Sequence, residues 1–167
     1  MPLQRAYAGQ TCSIAAALEI VGERWTMLII REALLGVHRF DAMQADLGVA
    51  RNVLQARLEH LVGNGILERR LYQERPERYA YHLTQKGLDL WPAIVALMQW
   101  GDKHAGVPGG PPVRLEHRGC AGAVDDHLLC VACGERLGPR DVWAHPADHV
   151  PADHPLRRRA RAAAESV

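Results

Sequence analysis

The chain has 167 residues, 48% of them apolar, and a formal net charge of +1. That length suits one domain of ordinary size with room for a small appendage, and the apolar content supports a real core. The near-neutral charge neither argues for a nucleic-acid partner nor excludes one, but no apolar run reaches the roughly 18 residues a membrane helix needs.

The first residues, MPLQRAYAGQTC, lack the apolar core of a secretory signal, so the expected location is the cytoplasm. There the four cysteines read better as metal ligands or redox sensors than as structural disulfides. After a stretch of about nine residues with no structural signal, Cys12 to Val21 reads as a helix, capped by Thr11 or Ser13 and ended by Gly22. A second helix spans about Arg24 to Leu35, with Trp25, Leu28, Ile29, Ala33 and Leu35 turned inward and Gly36 as the stop. Arg39-Phe40 reads as an extended link with Phe40 anchoring the core. Asp41 is expected to cap a third helix, Ala42 to Leu47, and Gly48 to turn the chain.

A fourth helix begins just after Gly48. Val49, Val53, Leu54, Leu58, Leu61 and Val62 recur at spacings of three and four, which makes one buried stripe. Arg51, Asn52, Gln55 and Arg57 point elsewhere, near the helix N-terminus. In a helix laid in the major groove, N-terminal residues reach base edges; Arg suits guanine, and Asn or Gln suits adenine. Gly63-Asn64-Gly65 ends the helix. Two strands follow, Ile66 to Tyr72 and Arg78 to Thr84, with Tyr79, Tyr81 and Leu83 alternating as a half-buried face. Their connection holds Pro76, which suits a turn. Arg75 and Arg78 near its tip are placed to meet phosphates. From Arg51 to Arg78 there are six Arg against four Glu, so the local balance is basic.

The order helix, turn, helix, hairpin is that of a winged helix-turn-helix. Thr84 caps a further helix from about Gln85 to His104. Leu88, Leu90, Trp91, Ile94, Val95, Leu97, Met98 and Trp100 leave it apolar around most of its circumference. A small winged domain covers only one side of such a helix, so a homodimer through this helix and the first is expected. The fold class is thus mainly α with a small β-hairpin, followed by a Gly/Pro linker over residues 105–116. A cysteine module follows over residues 117–150, then a basic tail over 151–167 containing Arg157, Arg158, Arg159 and Arg161.

The run Cys12 … Val21-Gly22-Glu23-Arg24-Trp25-Thr26 … Ile29-Ile30, the Arg39-Phe40 pair, Gly65-Ile66-Leu67, Arg69, Pro76, Tyr81-His82-Leu83-Thr84, Gly87 and Trp100 resembles the HxlR-type transcriptional regulators. The resemblance covers about Cys12 to His104. It implies a dimeric DNA-binding regulator, a repressor or an activator, that dimerises through its N- and C-terminal helices and binds double-stranded operator DNA. The signal is not fixed by the resemblance, since members answer to electrophiles, oxidants and metabolites. Some members sense through a cysteine near the N-terminus, and Cys12 sits at the matching position. A helix N-terminus favours a thiolate, so Cys12 is a candidate redox sensor, with simple packing as the other reading.

Outside that region, Cys130-Val131-Ala132-Cys133 has the spacing with which two thiolates grip one zinc, and His117 and Cys120 repeat it. His117, Cys120, Cys130 and Cys133 together make a Cys3His set, enough for a closed structural zinc site. His127, His145, His149 or His154 could replace His117. A redox CxxC would need a thioredoxin-like context, and a zinc deaminase would need a His-x-Glu motif; neither is present, and free cysteines in a disordered tail rich in Asp, His and Pro are the remaining alternative. No general base, nucleophile triad or phosphate loop is evident, so no enzyme is expected. A winged-helix module that binds partner protein instead of DNA is the alternative.

Overall fold

The computed structural model describes Tyr7 and residues 10–157. The expectations for the remaining N-terminal residues and for Arg158, Arg159 and Arg161 lie outside them. The chain divides into two compact units, Met1–Leu88 and Asp89–Val167.

The first unit holds α1 (Ser13–Val21), α2 (Thr26–Leu34), α3 (Phe40–Leu47), α4 (Arg51–Gly63), β1 (Leu67–Glu74), β2 (Glu77–Leu83) and the short α5 (Gln85–Leu88). Ile29, Ile30, Met43, Leu54, Leu58, Leu61 and Leu67 are fully buried and form its aliphatic core. Glu32 of α2 is buried too, paired with Arg31. The apolar stripe of α4 therefore packs as its spacing predicts, against α2 and β1.

Glycine ends α4 by a specific device. Gly65 takes a left-handed φ of 69°, its N–H reaches the carbonyl of Val62 (3.0 Å), and Ile66 N–H reaches that of Leu61 (2.9 Å). These two bonds are the pair that closes a helix at a left-handed residue. Gly36 closes α2 the same way, through Ala33 and Glu32.

The hairpin β1–β2 is antiparallel and pairs Leu67 with Leu83 through to Glu74 with Glu77. Only Arg75-Pro76 remain as its turn, since β1 runs on to Glu74 and β2 starts one residue earlier than expected. One residue, Tyr72, is extra in β1 and makes a bulge. Tyr79, Tyr81 and Leu83 are half-buried as predicted, but the buried residue of β2 is Ala80, which bridges to Arg39. His38 completes that contact, with its carbonyl accepting from Tyr81 N–H at 2.7 Å.

Several helix expectations need correction. Trp25 precedes α2 instead of lying in it, with φ 79°, and Leu28 is exposed. Phe40 starts α3 and is only half-buried. Asp41 is not the cap, which is Arg39, and lies in the first turn of α3. The long helix from Gln85 breaks in two: Thr84 Oγ1 accepts from Gly87 N–H (3.2 Å) and caps α5, and α6 begins at Trp91. Pro92 explains the break, because its nitrogen cannot donate to Leu88 and its ring crowds that carbonyl.

The second unit holds α6 (Trp91–His104) and an antiparallel pair, β3 (Val113–His117) with β4 (Val142–Pro146). Trp91 and Val95 of α6 are buried, while Leu97 and Trp100 are 54% and 60% exposed. β3 begins at Val113, so residues 105–112 alone separate it from α6. The small apolar core comprises Leu128, Leu137, Val142 and Val150. Arg157, expected in the basic tail, instead donates to the carbonyls of Val150, Ala147 and Asp148 at 2.6–2.9 Å. Three backbone acceptors hold it against its own unit.

His38 and His82 stack with ring centroids 4.1 Å apart, beside β2. Burial lowers both imidazoles from their ordinary value, and the nearby Arg70 lowers both further. A histidine so lowered binds fewer protons folded than unfolded. Its contribution to stability is intact above the unfolded pKa of about 6.5 and is lost as pH falls below it. Urea midpoints should therefore fall on acidification from about pH 7 to pH 5, and His82→Gln should flatten that slope. An unchanged slope would remove the pair from the acid response.

Candidate nucleic-acid interface and metal centre

On α4, successive residues rotate by about 100°, which turns Asn52 away from Leu54, Leu58 and Leu61 and Gln55 to the edge of that stripe, while Arg51 is the first residue of the helix, at its N-terminal end. Arg51, Asn52 and Gln55 are all exposed. Arg51 lies 4.7 Å over the Phe40 ring with its Nη1 3.8 Å from Asp41 Oδ1. Gln55 Nε2 donates to Glu59 Oε1 at 3.0 Å. Arg57 falls on the flank, a quarter exposed, with Nη2 3.4 Å from Glu23 Oε2. Arg75 is exposed at the hairpin tip, and Arg78 Nη1 stands 3.9 Å from Asp41 Oδ2.

Between α4 and the hairpin runs a groove of about 920 Å³, lined by Phe40, Asp41, Arg51, Gln55, Tyr72 and Arg78 among others. Two cations that the sequence reading did not select border the hairpin. Arg39 lies 4.6 Å over the Tyr72 ring and Arg69 5.3 Å over that of Tyr79. Such stacking holds a guanidinium in place without consuming its hydrogen bonds. The bulge at Tyr72 hid this pairing. Counted without it, Arg69 would face His82; with it, Arg69 pairs with Tyr81 and shares a face with Tyr79.

In the second unit, His117, Cys120, Cys130 and Cys133 converge, their ligand atoms all within 4.8 Å of one another. His117 Nδ1 lies 3.2 Å from Cys120 Sγ and 3.4 Å from Cys133 Sγ, and Cys120 Sγ lies 3.3 Å from Cys130 Sγ. A tetrahedral zinc with three sulfurs and one nitrogen has ligand edges of about 3.6–3.8 Å. The set is close to that size. His117 is the histidine in place; His127, His145, His149 and His154 are not in the cluster. His117 Nε2 faces Glu135 Oε2 at 3.6 Å, the kind of outer carboxylate that orients a ligating imidazole.

The local backbone builds the cluster from two equivalent knuckles. Ala121 N–H bonds the carbonyl of His117 (2.9 Å), and Gly134 N–H bonds that of Cys130 (2.8 Å). Both closing residues have positive φ, 58° and 75°. Gly122 is required by close approach, since a Cβ there would stand 2.4 Å from Cys130 Sγ. Burial pushes the Cys130 thiol up, but the backbone N–H groups of Cys133 and Ala132 and the Cys120 thiol outweigh it and hold it at about 6. The hydrogen bond to Cys130 raises its partner Cys120 to about 11. One thiolate is thus favoured before any cation arrives. The donor set and the glycine cradle fit a zinc ion.

Residues 20–107 match the family model of the HxlR-like helix-turn-helix. The chain belongs to the HxlR family. An uncharacterised HTH-type transcriptional regulator of Mycobacterium tuberculosis, Rv3095, is 48% identical over 134 residues, 80% of this chain and 85% of that one. Among solved structures, the candidate transcription factor PA1607 is 35% identical with a TM-score of 0.64, covering 80% of this chain and 93% of its own. PA1374 of Pseudomonas aeruginosa, also a candidate transcription factor, is 36% identical with a TM-score of 0.50, covering 89% and 99%. This HxlR protein is therefore a transcriptional regulator of helix-turn-helix type. No helix among the described residues is long and apolar enough to cross a membrane.

The cysteine cluster lies beyond the HxlR segment, in an extension of this family member. Native mass spectrometry on protein purified without chelator should find one zinc per chain. Cys130→Ser and Cys133→Ser should each abolish it, and acid should release it as the ligands protonate. Metal-free wild-type protein would show that the cluster is a thiol site only.

Proposed function

We propose that this HxlR regulator is a sequence-specific repressor that binds operator DNA as a homodimer and releases it on a chemical signal. The observation that carries the reading is the bare face of α4, where Arg51, Asn52 and Gln55 stand exposed beside a groove bordered by hairpin arginines. Arg51, Asn52 and Gln55 read base edges; Arg75 and Arg78 meet phosphates, and Arg57 adds a flanking phosphate contact from its pairing with Glu23. Ile14 and Leu18 on α1, and Leu97 and Trp100 on α6, supply exposed apolar surface for the second copy. Zinc, when bound, supplies a structural cross-link between the two knuckles, and four protein ligands leave it no open position.

Selection from a random duplex library tests the reading. The selected sites should be two-fold symmetric, with half-sites about one helical turn apart. Arg51→Ala should relax preference at one position by about 1–3 kcal/mol, while Arg75→Ala should weaken all sequences alike and lower the salt dependence. Equal losses on every sequence for both variants would show the roles to be misassigned.

Cys12 is the thiol we assign to the signal. It is exposed and forms the N-cap of α1, where access and the helix end favour reaction. Diamide or a quinone should weaken operator binding of the wild type in a mobility-shift assay, and Cys12→Ser should abolish that response. A variant that responds like the wild type would clear Cys12 of the role.

A further inference from the structure

Asp41 stands where three elements of the first unit meet. From the first turn of α3, its Oδ1 lies 3.8 Å from Arg51 Nη1 on α4, and its Oδ2 lies 3.9 Å from Arg78 Nη1 on β2. The two cations belong to the two parts of the interface, one to the helix and one to the hairpin. Three acids line the groove, and the other two have different neighbours. Glu59 accepts from Gln55, and Glu77 accepts from the Tyr79 hydroxyl at 2.9 Å. Asp41 alone among them bridges two arginines.

A carboxylate between two guanidiniums offers them the same kind of anionic oxygen that a phosphate would. Its side chain is 72% exposed, so each pairing is screened and easily exchanged. Exchange does not remove the carboxylate, which stays fixed to α3 near the incoming backbone. It then repels every phosphate backbone equally, whatever the base sequence. Only a site that gives Arg51 its base partner offsets that repulsion. This account also fits a DNA-binding chain whose net charge is only +1.

We propose that Asp41 sets the affinity threshold for DNA: it holds Arg51 and Arg78 in the free protein and weakens binding to every duplex by a similar factor, so that only a site giving Arg51 its base partner is held tightly. The inference rests on the DNA-binding reading above. It differs from a positioning role in sign, because a residue that merely aimed the two arginines would weaken binding when neutralised.

The test uses the full chain and a mixed-sequence duplex, read by fluorescence anisotropy between about 50 and 200 mM salt. Asp41→Asn should bind this duplex about three- to tenfold more tightly than wild type at the low-salt end. Its log–log salt slope should be steeper by about 1. Asp41→Glu should stay near wild type, since it keeps the charge. Asp153→Asn makes the same change of net charge in the second unit and should have a smaller effect. The proposal is overturned if Asp41→Asn binds no tighter than Asp153→Asn, or if it binds more weakly than wild type. A wild-type protein that binds no duplex at all would instead remove the DNA-binding reading, a separate and recognisable failure.

Discussion

The burial of Leu54, Leu58 and Leu61 decides what the rest of the molecule can do. These three positions commit one side of α4 to the core; the period of the helix then leaves Asn52 and Gln55 to solvent, and Arg51 is exposed at the helix start. A shift of one residue in that stripe would turn the polar face inward and expose leucine. The core partner on α2, Ile29 and Ile30, and the strand residue Leu67 are buried to the same degree. The dry side is therefore continuous from α2 through α4 to the hairpin. The stop at Gly65 fixes where the chain leaves α4, and hence how the hairpin stands beside the exposed face.

Around that face, charge is organised by pairing more than by excess. Arg51 and Arg78 share Asp41, Arg57 has Glu23, and Arg70 has Glu68 at 2.6 Å. Arg39 and Arg69 rest on aromatic rings instead. Exposed pairs of this kind add little to stability, so their chief effect is to set the cost of redirecting each guanidinium towards DNA. A surface arranged this way attracts phosphate less at long range than an unpaired basic patch, and leaves more of the affinity to close contact.

Much of this was legible in the chain, and the misses have specific causes. Periodicity identified α4, and glycine placed its end, because both signals are local. The Cys3His set was legible for the same reason: two equivalent gaps imply two equivalent knuckles. The break before α6 was written in Pro92, whose effect on Leu88 outweighed the continuous apolar pattern. The bulge at Tyr72 and the bridge from Arg39 to Ala80 have no local signature, since each depends on where another segment lies. The same applies to Asp41. As a residue before a helix it looks like a cap, and only the placement of α4 and β2 brings it to Arg51 and Arg78.

The two units are stabilised by different means, and this bears on what the extension is for. The first has a dense aliphatic core and needs no cross-link. Beyond α6, the second buries few apolar side chains, mainly Leu128, Leu137, Val142 and Val150. A segment so poor in buried hydrocarbon falls short of offsetting the entropy of its own ordering. Its remaining order converges on the four ligands. Asp125 Oδ1 accepts from the N–H groups of His127 and Leu129, which sets the approach to Cys130, and the Asp125 carbonyl accepts from Gln99 of α6 at 3.1 Å. The loop that delivers Cys130 is thereby tied to the helix that exposes Leu97 and Trp100. A metal held by the four ligands would stiffen that loop, and through Gln99 its loss would reach the surface we assign to dimerisation.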